Sequence, residues 1–311
     1  MEKNTARGHL AALLTIAIWG TTFISTKVLL EDFQPVEILF IRFLMGYLAL
    51  WIACPRRLRG VTGRQEGLFA LAGLCGVCLY YLLENIALTY TMASNVGVII
   101  SVSPCFTALL THFLMRGEDR LRPTFFAGFA VAMAGICLIS FNGSALALDL
   151  RGDLLALLAA FVWACYALLT RRIGALGCPT VLTTRRTFFY GLVFMLPALA
   201  LSGARPDLAR LLDPVDLGNL LFLGLGASAV CFVTWNVAVR ELGAVRTSVY
   251  IYLVPVITVA ASVAILDEPF TWMTGAGTAL TLMGLLLSEG RFQRKEGTHH
   301  GTGAGQMRPG D

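Results

Sequence analysis

Apolar residues run along this chain in blocks of about twenty, set apart by polar breaks. The blocks span approximately 9–29, 35–53, 67–88, 93–115, 124–142, 153–171, 181–202, 217–239, 245–266 and 271–289. A hydrocarbon layer about 30 Å thick is crossed by roughly 20 residues of helix. Each block therefore predicts one crossing helix, because only a helix or a closed barrel satisfies its own backbone in lipid. The pattern predicts an all-α integral membrane protein of ten transmembrane helices. The breaks are short except at about 54–66 and 203–216, which leaves no room for a soluble domain between helices. From Arg291 the pattern stops, and the Gly-rich stretch 291–311 reads as a disordered cytoplasmic tail. The basic start Met1–Arg7 ahead of Leu10–Ile18 has the order of a signal peptide. No small-x-small cleavage site follows, and the segment has a counterpart at residue 163, so a mature helix is expected.

Composition agrees with the pattern. Hydrophobic residues make up 57% of the 311 and charged residues 14%, against roughly 25% charged in an average soluble domain. The net charge of +5 sits between the apolar blocks and so does not describe a nucleic-acid surface. Lys and Arg also set orientation, since inner loops carry the excess. With the N-terminus inside, nineteen of the 24 fall in inner segments and three (Arg151, Arg205 and Arg210) in outer ones. Lys27 and Arg42 lie within or near helices. Both termini are thus expected on the cytoplasmic side of a prokaryotic inner membrane. The eight cysteines lie almost all inside apolar stretches, where free Cys behaves as a small apolar residue. Cys75 and Cys78 form a C-x-x-C without a second pair at zinc-like spacing, so no metal site is expected.

The blocks also repeat. Trp19, Lys27, Pro35 and Arg42 match Trp163, Arg171, Pro179 and Arg186 at a constant offset of 144. Gly73, Asn85, Ala93 and Pro104 match Gly224, Asn236, Ala244 and Pro255 at 151. Gly128 and Gly135 match Gly277 and Gly284 at 149. The offset changes only where loops differ in length. Each unit holds five helices, an odd number, so the second enters the membrane from the opposite side. Two inverted five-helix repeats, 1–146 and 147–290, follow. Secondary transporters are often built this way, with a site near the midplane between the repeats.

The matched residues carry a family resemblance. Trp19-Gly20 with Phe23 and Lys27, then Pro35 and Ile41-Arg42-Phe43, resembles the start of an EamA-like unit. So does ALTYTMASNVGVIISVSPCFTALL at 87–110 followed by Gly117-Glu118, and AVRTSVYIYLVPVITVAASVAILDEPF at 244–270. The core, about 9–289, resembles the drug/metabolite transporter superfamily. That resemblance implies a ten-helix carrier of small molecules, often an exporter, with a central cavity and no ATPase domain. Two departures stand out. Ala164 replaces Gly20 in the second copy, and Leu266-Asp267-Glu268 replaces Arg116-Gly117-Glu118, so helix approach is expected to differ between the copies.

Depth selects the candidate site residues. Trp19 and Trp163 fall at mid-segment, where Trp is less usual than at the interface. They read as cavity walls or as core packing, with Tyr166 one turn from Trp163. Pro104 and Pro255 are paired mid-helix prolines, expected to kink their helices and free the carbonyls of Ile100 and Ile251. Glu84 lies within the third block beside Tyr80, Tyr81 and Asn85, and a carboxylate there is costly unless paired or protonated. Lys27 and Arg42 fall at a similar outer level. Glu84 with one of them reads as a structural lock, an outer gate or a proton-linked site. Arg186, the partner of Arg42, reads as an inner gate or as a side chain reaching for phosphates. Asn236, Ser101 and Tyr252 complete the substrate-binding candidates, and His112 reads as structural. No hydrolase set, metal cluster or nucleotide loop stands out.

The expected function is secondary transport of a small amino-acid-like or heteroaromatic metabolite, outward, by alternating access. The partners are that solute, the bilayer and protons, with no cofactor and no nucleic acid, in a monomer or homodimer. Broad multidrug efflux and import are alternatives. A membrane-embedded enzyme is the reading outside transport, and it lacks the His, Asp or Ser cluster it would need.

Overall fold

A computed structural model of the chain describes residues 5–58, 60–114, 123–140, 150–203, 208–242, 247 and 249–289. The expected tail, the junction at 141–149 and the segment carrying Gly117-Glu118 lie outside the described residues. Everything regular among the described residues is helical. Helix α1 is Thr5–Leu29 and α2 is Pro35–Ala53. Helix α3 joins Gly63–Gly73, a π-helical Leu74–Leu79 and Tyr80–Tyr90. Helix α4 joins Ala93–Ile100 and Ser103–Leu114, and α5 is Pro123–Ser140. Helices α6 and α7 are Leu150–Gly174 and Thr180–Leu201. Helix α8 joins Pro214–Leu221, a π-helical Phe222–Val230 and Cys231–Leu242. Helix α9 joins a 3₁₀ turn, Val249–Leu253, to Val254–Ile265, and α10 is Trp272–Glu289.

Among the described residues, six helices are long and apolar enough to cross a membrane: Thr5–Leu29, Pro35–Ala53, Gly63–Tyr90, Ala93–Leu114, Leu150–Gly174 and Pro214–Val239. Phe126–Leu138, Tyr250–Ile265 and Trp272–Leu287 are apolar but shorter. Large apolar side chains cover the outside, among them Leu13, Leu158, Leu196, Ile265 and Leu286. A surface of this kind suits lipid and not water, since large apolar patches on soluble monomers are rare.

The helices pair in a way that survives exchange of the two halves. Helix α5 packs on α10, α2 on α7 and α4 on α9. Helix α1 packs on α8 and α9, while its counterpart α6 packs on α3 and α4. The irregular segments obey the same exchange. Each π segment sits mid-way along the third or eighth helix, and each interruption precedes one of the paired prolines. Helix α4 breaks at Ser101 and Val102, whose N–H groups reach Val98 and Ile99 in tighter three-residue turns. The predicted kinks are thus a full interruption in α4 and a 3₁₀ entry in α9. Proline supplies no N–H and clashes with the carbonyl four residues earlier, which accounts for both.

Glycine sets the closest approach. A Cβ on Gly135 would lie 2.6 Å from the Gly277 carbonyl oxygen, and one on Gly284 would lie 2.5 Å from that of Gly128. These are the four matched glycines of the repeat, and the contact of Gly135 with Gly277 is the exchange image of that of Gly284 with Gly128. Small residues let helix backbones touch where lipid offers no hydrophobic drive. The copies differ where Gly20 becomes Ala164. Thr258 of α9 donates to the Gly20 carbonyl at 2.7 Å, whereas its counterpart Thr107 bonds Ser103 in its own helix.

Gly284→Ala should therefore separate α5 from α10. Overpacking costs about 1–3 kcal/mol, so thermal unfolding in detergent is expected to shift clearly downward. Gly67→Ala, where a Cβ meets nothing within 4 Å, should leave the transition unchanged.

Candidate functional site

The two tryptophans of the repeat meet. Trp19 of α1 and Trp163 of α6 cross edge to face, with ring centres 5.8 Å apart. Trp163 also contacts Tyr80 at 4.7 Å and Tyr166 at 5.0 Å. The Trp19 N–H donates at 3.1 Å to the carbonyl of Ala227, inside the π segment of α8. A π turn displaces a carbonyl from the regular ladder, and the indole meets it. On the other side, Gly76 in the π segment of α3 gives room to Tyr166, whose ring atom would lie 2.1 Å from an added Cβ.

These rings border a cavity of about 40 Å³. Its walls are Trp19, Thr22, Phe23, Tyr80, Tyr81, Glu84, Ile100, Ser101, Ser103, Trp163, Ile251 and Val254. Ile100 and Ile251 are equivalent in the repeat, and each stands four residues before a matched proline. Ser103 and Val254 are equivalent as well. The cavity therefore lies where the halves meet, at the interrupted stretches of α4 and α9. Its chemistry is lopsided: Glu84 in α3 corresponds to Trp235 in α8.

Buried charge is the notable feature. Glu84 is 1% exposed and Arg42 is 0% exposed. Among the described residues the two form no direct ion pair. Arg42 donates from Nε to the Ser228 hydroxyl at 3.2 Å, and its guanidinium lies 4.4 Å from the centre of the Tyr81 ring. Its Nη1 and Nη2, and Oε1 of Glu84, are buried without hydrogen-bond partners. Desolvating such ions costs several kcal/mol each unless something answers them. Tyr81 separates Arg42 from the cavity, and Glu84 faces it directly.

Of the sequence candidates, Trp19, Tyr80, Tyr81, Glu84, Ser101 and Trp163 line the cavity. Tyr166 backs it through Trp163. Asn85 and Asn236 do not line it. They brace neighbouring helices, donating to the Pro35 carbonyl and to the Thr184 hydroxyl. Tyr252 is buried on α9 outside the lining. Lys27 does not meet Glu84, since its ammonium holds the carbonyls of Leu88 and Thr91, at the end of α3. Cations are favoured at that end of a helix. Arg186 is half exposed and forks onto Glu66 with bonds of 3.0 and 2.6 Å, while the Tyr190 hydroxyl donates to the same carboxylate. Matched Arg42 and Arg186 thus occupy unlike surroundings.

Sequence reasoning passed over several groups. Phe232 and Trp235 of α8 close on Trp19 with ring centres at 5.9 and 5.2 Å. Trp235 is the repeat counterpart of Glu84, so the offset of 151 was the available signal for it. Glu268 matters more. Its carboxylate accepts from Ala93 N at 2.8 Å, from Ser94 N at 3.2 Å and from the Ser94 hydroxyl at 2.6 Å. It caps α4 across the structure, where a carboxylate is favoured. Asp267 beside it takes a left-handed φ of 52°. The repeat counterpart of that pair is Gly117-Glu118, and glycine suits such a φ. The sequence match was visible, but the docking of the loop on α4 was not. Among the described residues, no group of three His, Cys, Asp or Glu is placed to hold a metal ion.

The model of the EamA-like transporter family matches residues 6–141 and again 150–289. A protein of Archaeoglobus fulgidus, named as an uncharacterized transporter, is 30% identical over 288 residues, spanning 91% of this chain and 97% of its own. A probable terminal-alkyne amino-acid exporter of Streptantibioticus cattleyicolor is 28% identical, with 89% and 91% covered. A probable amino-acid metabolite efflux pump of Escherichia coli is 25% identical, with 89% and 93% covered. One solved crystal structure aligns with a TM-score of 0.63 at 19% identity, over 92% of this chain and 97% of the other, which is a likeness of fold. With one family matched twice along nearly its whole helical length, this chain belongs to the EamA-like transporter family and is a multi-pass membrane transporter.

Proposed function

We propose that the protein is a secondary transporter that exports a small amino-acid-like or heteroaromatic metabolite across the cytoplasmic membrane by alternating access. Its ten helices cross as two five-helix units, 1–146 and 147–290, of opposite orientation, with both termini inside. The exchange symmetry of the helix contacts and the charge asymmetry of the loops support this arrangement.

One observation carries the reading. A cavity walled by Trp19, Trp163, Tyr80 and Tyr81 sits between the halves, with one carboxylate oxygen of Glu84 and two guanidinium nitrogens of Arg42 buried without hydrogen-bond partners beside it. Indole and phenol faces suit a flat or apolar side chain, at about 0.5–1.5 kcal/mol per ring pair. Arg42 suits a solute carboxylate once the Tyr81 ring turns aside. Glu84 suits a coupled proton, because a carboxylate this buried changes charge at a cost set by what occupies the cavity. Two relatives named as exporters of amino acids or their metabolites favour the same class. A space of 40 Å³ holds at most a water or so. Loading a metabolite therefore requires helix movement, and the interrupted stretches of α4 and α9 offer the hinge. Glu268 on the start of α4 and Lys27 on the end of α3 act together as the latch of the outer side.

Deletion and overexpression of the gene, with metabolite profiling of the medium, test the function directly. A compound that falls outside and accumulates inside on deletion is expected, restored by the parent protein and not by Glu84→Ala or Trp163→Ala. No change in any compound with well-expressed protein counts against metabolite export.

Glu84→Gln in proteoliposomes should abolish dependence on a pH gradient while exchange of labelled substrate continues. Equal loss of both would assign Glu84 a purely structural role.

Glu268→Gln should loosen the outer latch. In a background without other cysteines, Ser101→Cys is expected to react several-fold faster with an impermeant maleimide added outside when Glu268→Gln is present. An unchanged rate would remove Glu268 from the latch.

A further inference from the structure

A second hollow lies away from the central cavity, where α2 ends and α7 begins. It encloses about 320 Å³, the share of about ten water molecules at roughly 30 Å³ each. Its lining has two characters. Trp51 and Phe189 form an apolar side and are 50% and 41% exposed on the outer surface of the helices. Arg57, Arg185 and Arg186 form the other side.

The arginines are held unequally. Arg185 is 8% exposed, and its two terminal nitrogens donate to the carbonyls of Cys54 and Arg56. Those bonds fix the chain just after α2 and set Arg57 at the rim. Arg186 spends Nε and Nη2 on Glu66, which leaves Nη1 outside that fork. Arg57 is exposed and has no hydrogen-bond or ion-pair partner among the described residues. Glu66 answers one of three guanidinium charges, so the hollow keeps an excess of positive charge. It is built in advance and its charge is not consumed internally.

We propose that this hollow binds the phosphate of an anionic phospholipid headgroup. The guanidinium groups would take the phosphate oxygens, for which their planar fork is suited. The indole of Trp51 and the ring of Phe189 would lie along the glycerol and the first acyl carbons, at the level where such rings collect in membranes. Basic pockets between membrane helices hold headgroups in this way. A free anion has the same phosphate chemistry but gains nothing from the apolar wall, which opens toward the lipid side. The site is separate from the central cavity and stands whatever solute the cavity carries.

The test uses the full chain, purified in a neutral detergent and titrated with dioleoyl-phosphatidylglycerol in mixed micelles. Dioleoyl-phosphatidylcholine and inorganic phosphate are the comparison arms, and bound lipid is counted by native mass spectrometry. Phosphatidylglycerol is expected to bind saturably and phosphatidylcholine at least tenfold more weakly, with no effect of inorganic phosphate at matched concentration. Arg57→Gln should weaken phosphatidylglycerol about fivefold, or about 1 kcal/mol, without changing the melting temperature of the lipid-free protein. Arg64→Gln, exposed on α3 and outside the hollow, should bind as the parent does. Equal binding of the two lipids, equal weakening by the two substitutions, or competition by inorganic phosphate would each overturn the proposal.

Discussion

Backbone that leaves the regular helical ladder at membrane depth must be met by protein, because lipid supplies no hydrogen bonds. The structure is arranged around that constraint. Two π segments and two interrupted helices all turn inward to the same region. The indole N–H of Trp19 takes the displaced carbonyl of Ala227, and the Ser228 hydroxyl beside it takes Nε of Arg42. The aromatic cluster is therefore also the cover for irregular backbone.

Symmetry supplies the scaffold and asymmetry supplies the chemistry. The glycine contacts of α5 with α10 are reciprocal, so the two helices pack backbone to backbone. Around the cavity the equivalent positions diverge: Glu84 corresponds to Trp235, and Tyr81 to Phe232. Only one copy contributes ionisable groups there. The same holds for the matched arginines. Arg42 is sealed in the core, while Arg186 is tied to Glu66 at an open edge. One duplicated framework thus carries the ionisable groups of its cavity on the first copy alone.

The Glu268 and Lys27 contacts and the edge hollow follow a common rule. Both use charge at a helix end, where terminal N–H and C=O groups lack partners within the helix. Glu268 answers the start of α4, and Lys27 answers the end of α3. Arg185 answers the carbonyls just past α2.

The all-helical membrane character and the two family units were legible in the sequence, and Trp19, Trp163 and Glu84, singled out there by depth, fall on one cavity. Run length, charge placement and offset matching are local or periodic quantities, and each survives without coordinates. Six cavity residues could be named because depth along a helix follows from counting 1.5 Å per residue. Direction around the helix does not follow so simply, and there the reading diverged. Asn85 and Asn236, matched and at plausible depth, turned to brace α2 and α7. Lys27, at the level of Glu84, turned to carbonyls, and Arg42 stopped behind the Tyr81 ring. A π segment inserts an extra residue per turn and rotates everything after it, so facing beyond residue 74 is set by packing. Glu268 and the hollow at Arg57 join residues 129 to 175 positions apart. Only the packing of one half on the other brings such residues together, because those contacts depend on helix approach and loop docking that no local pattern encodes.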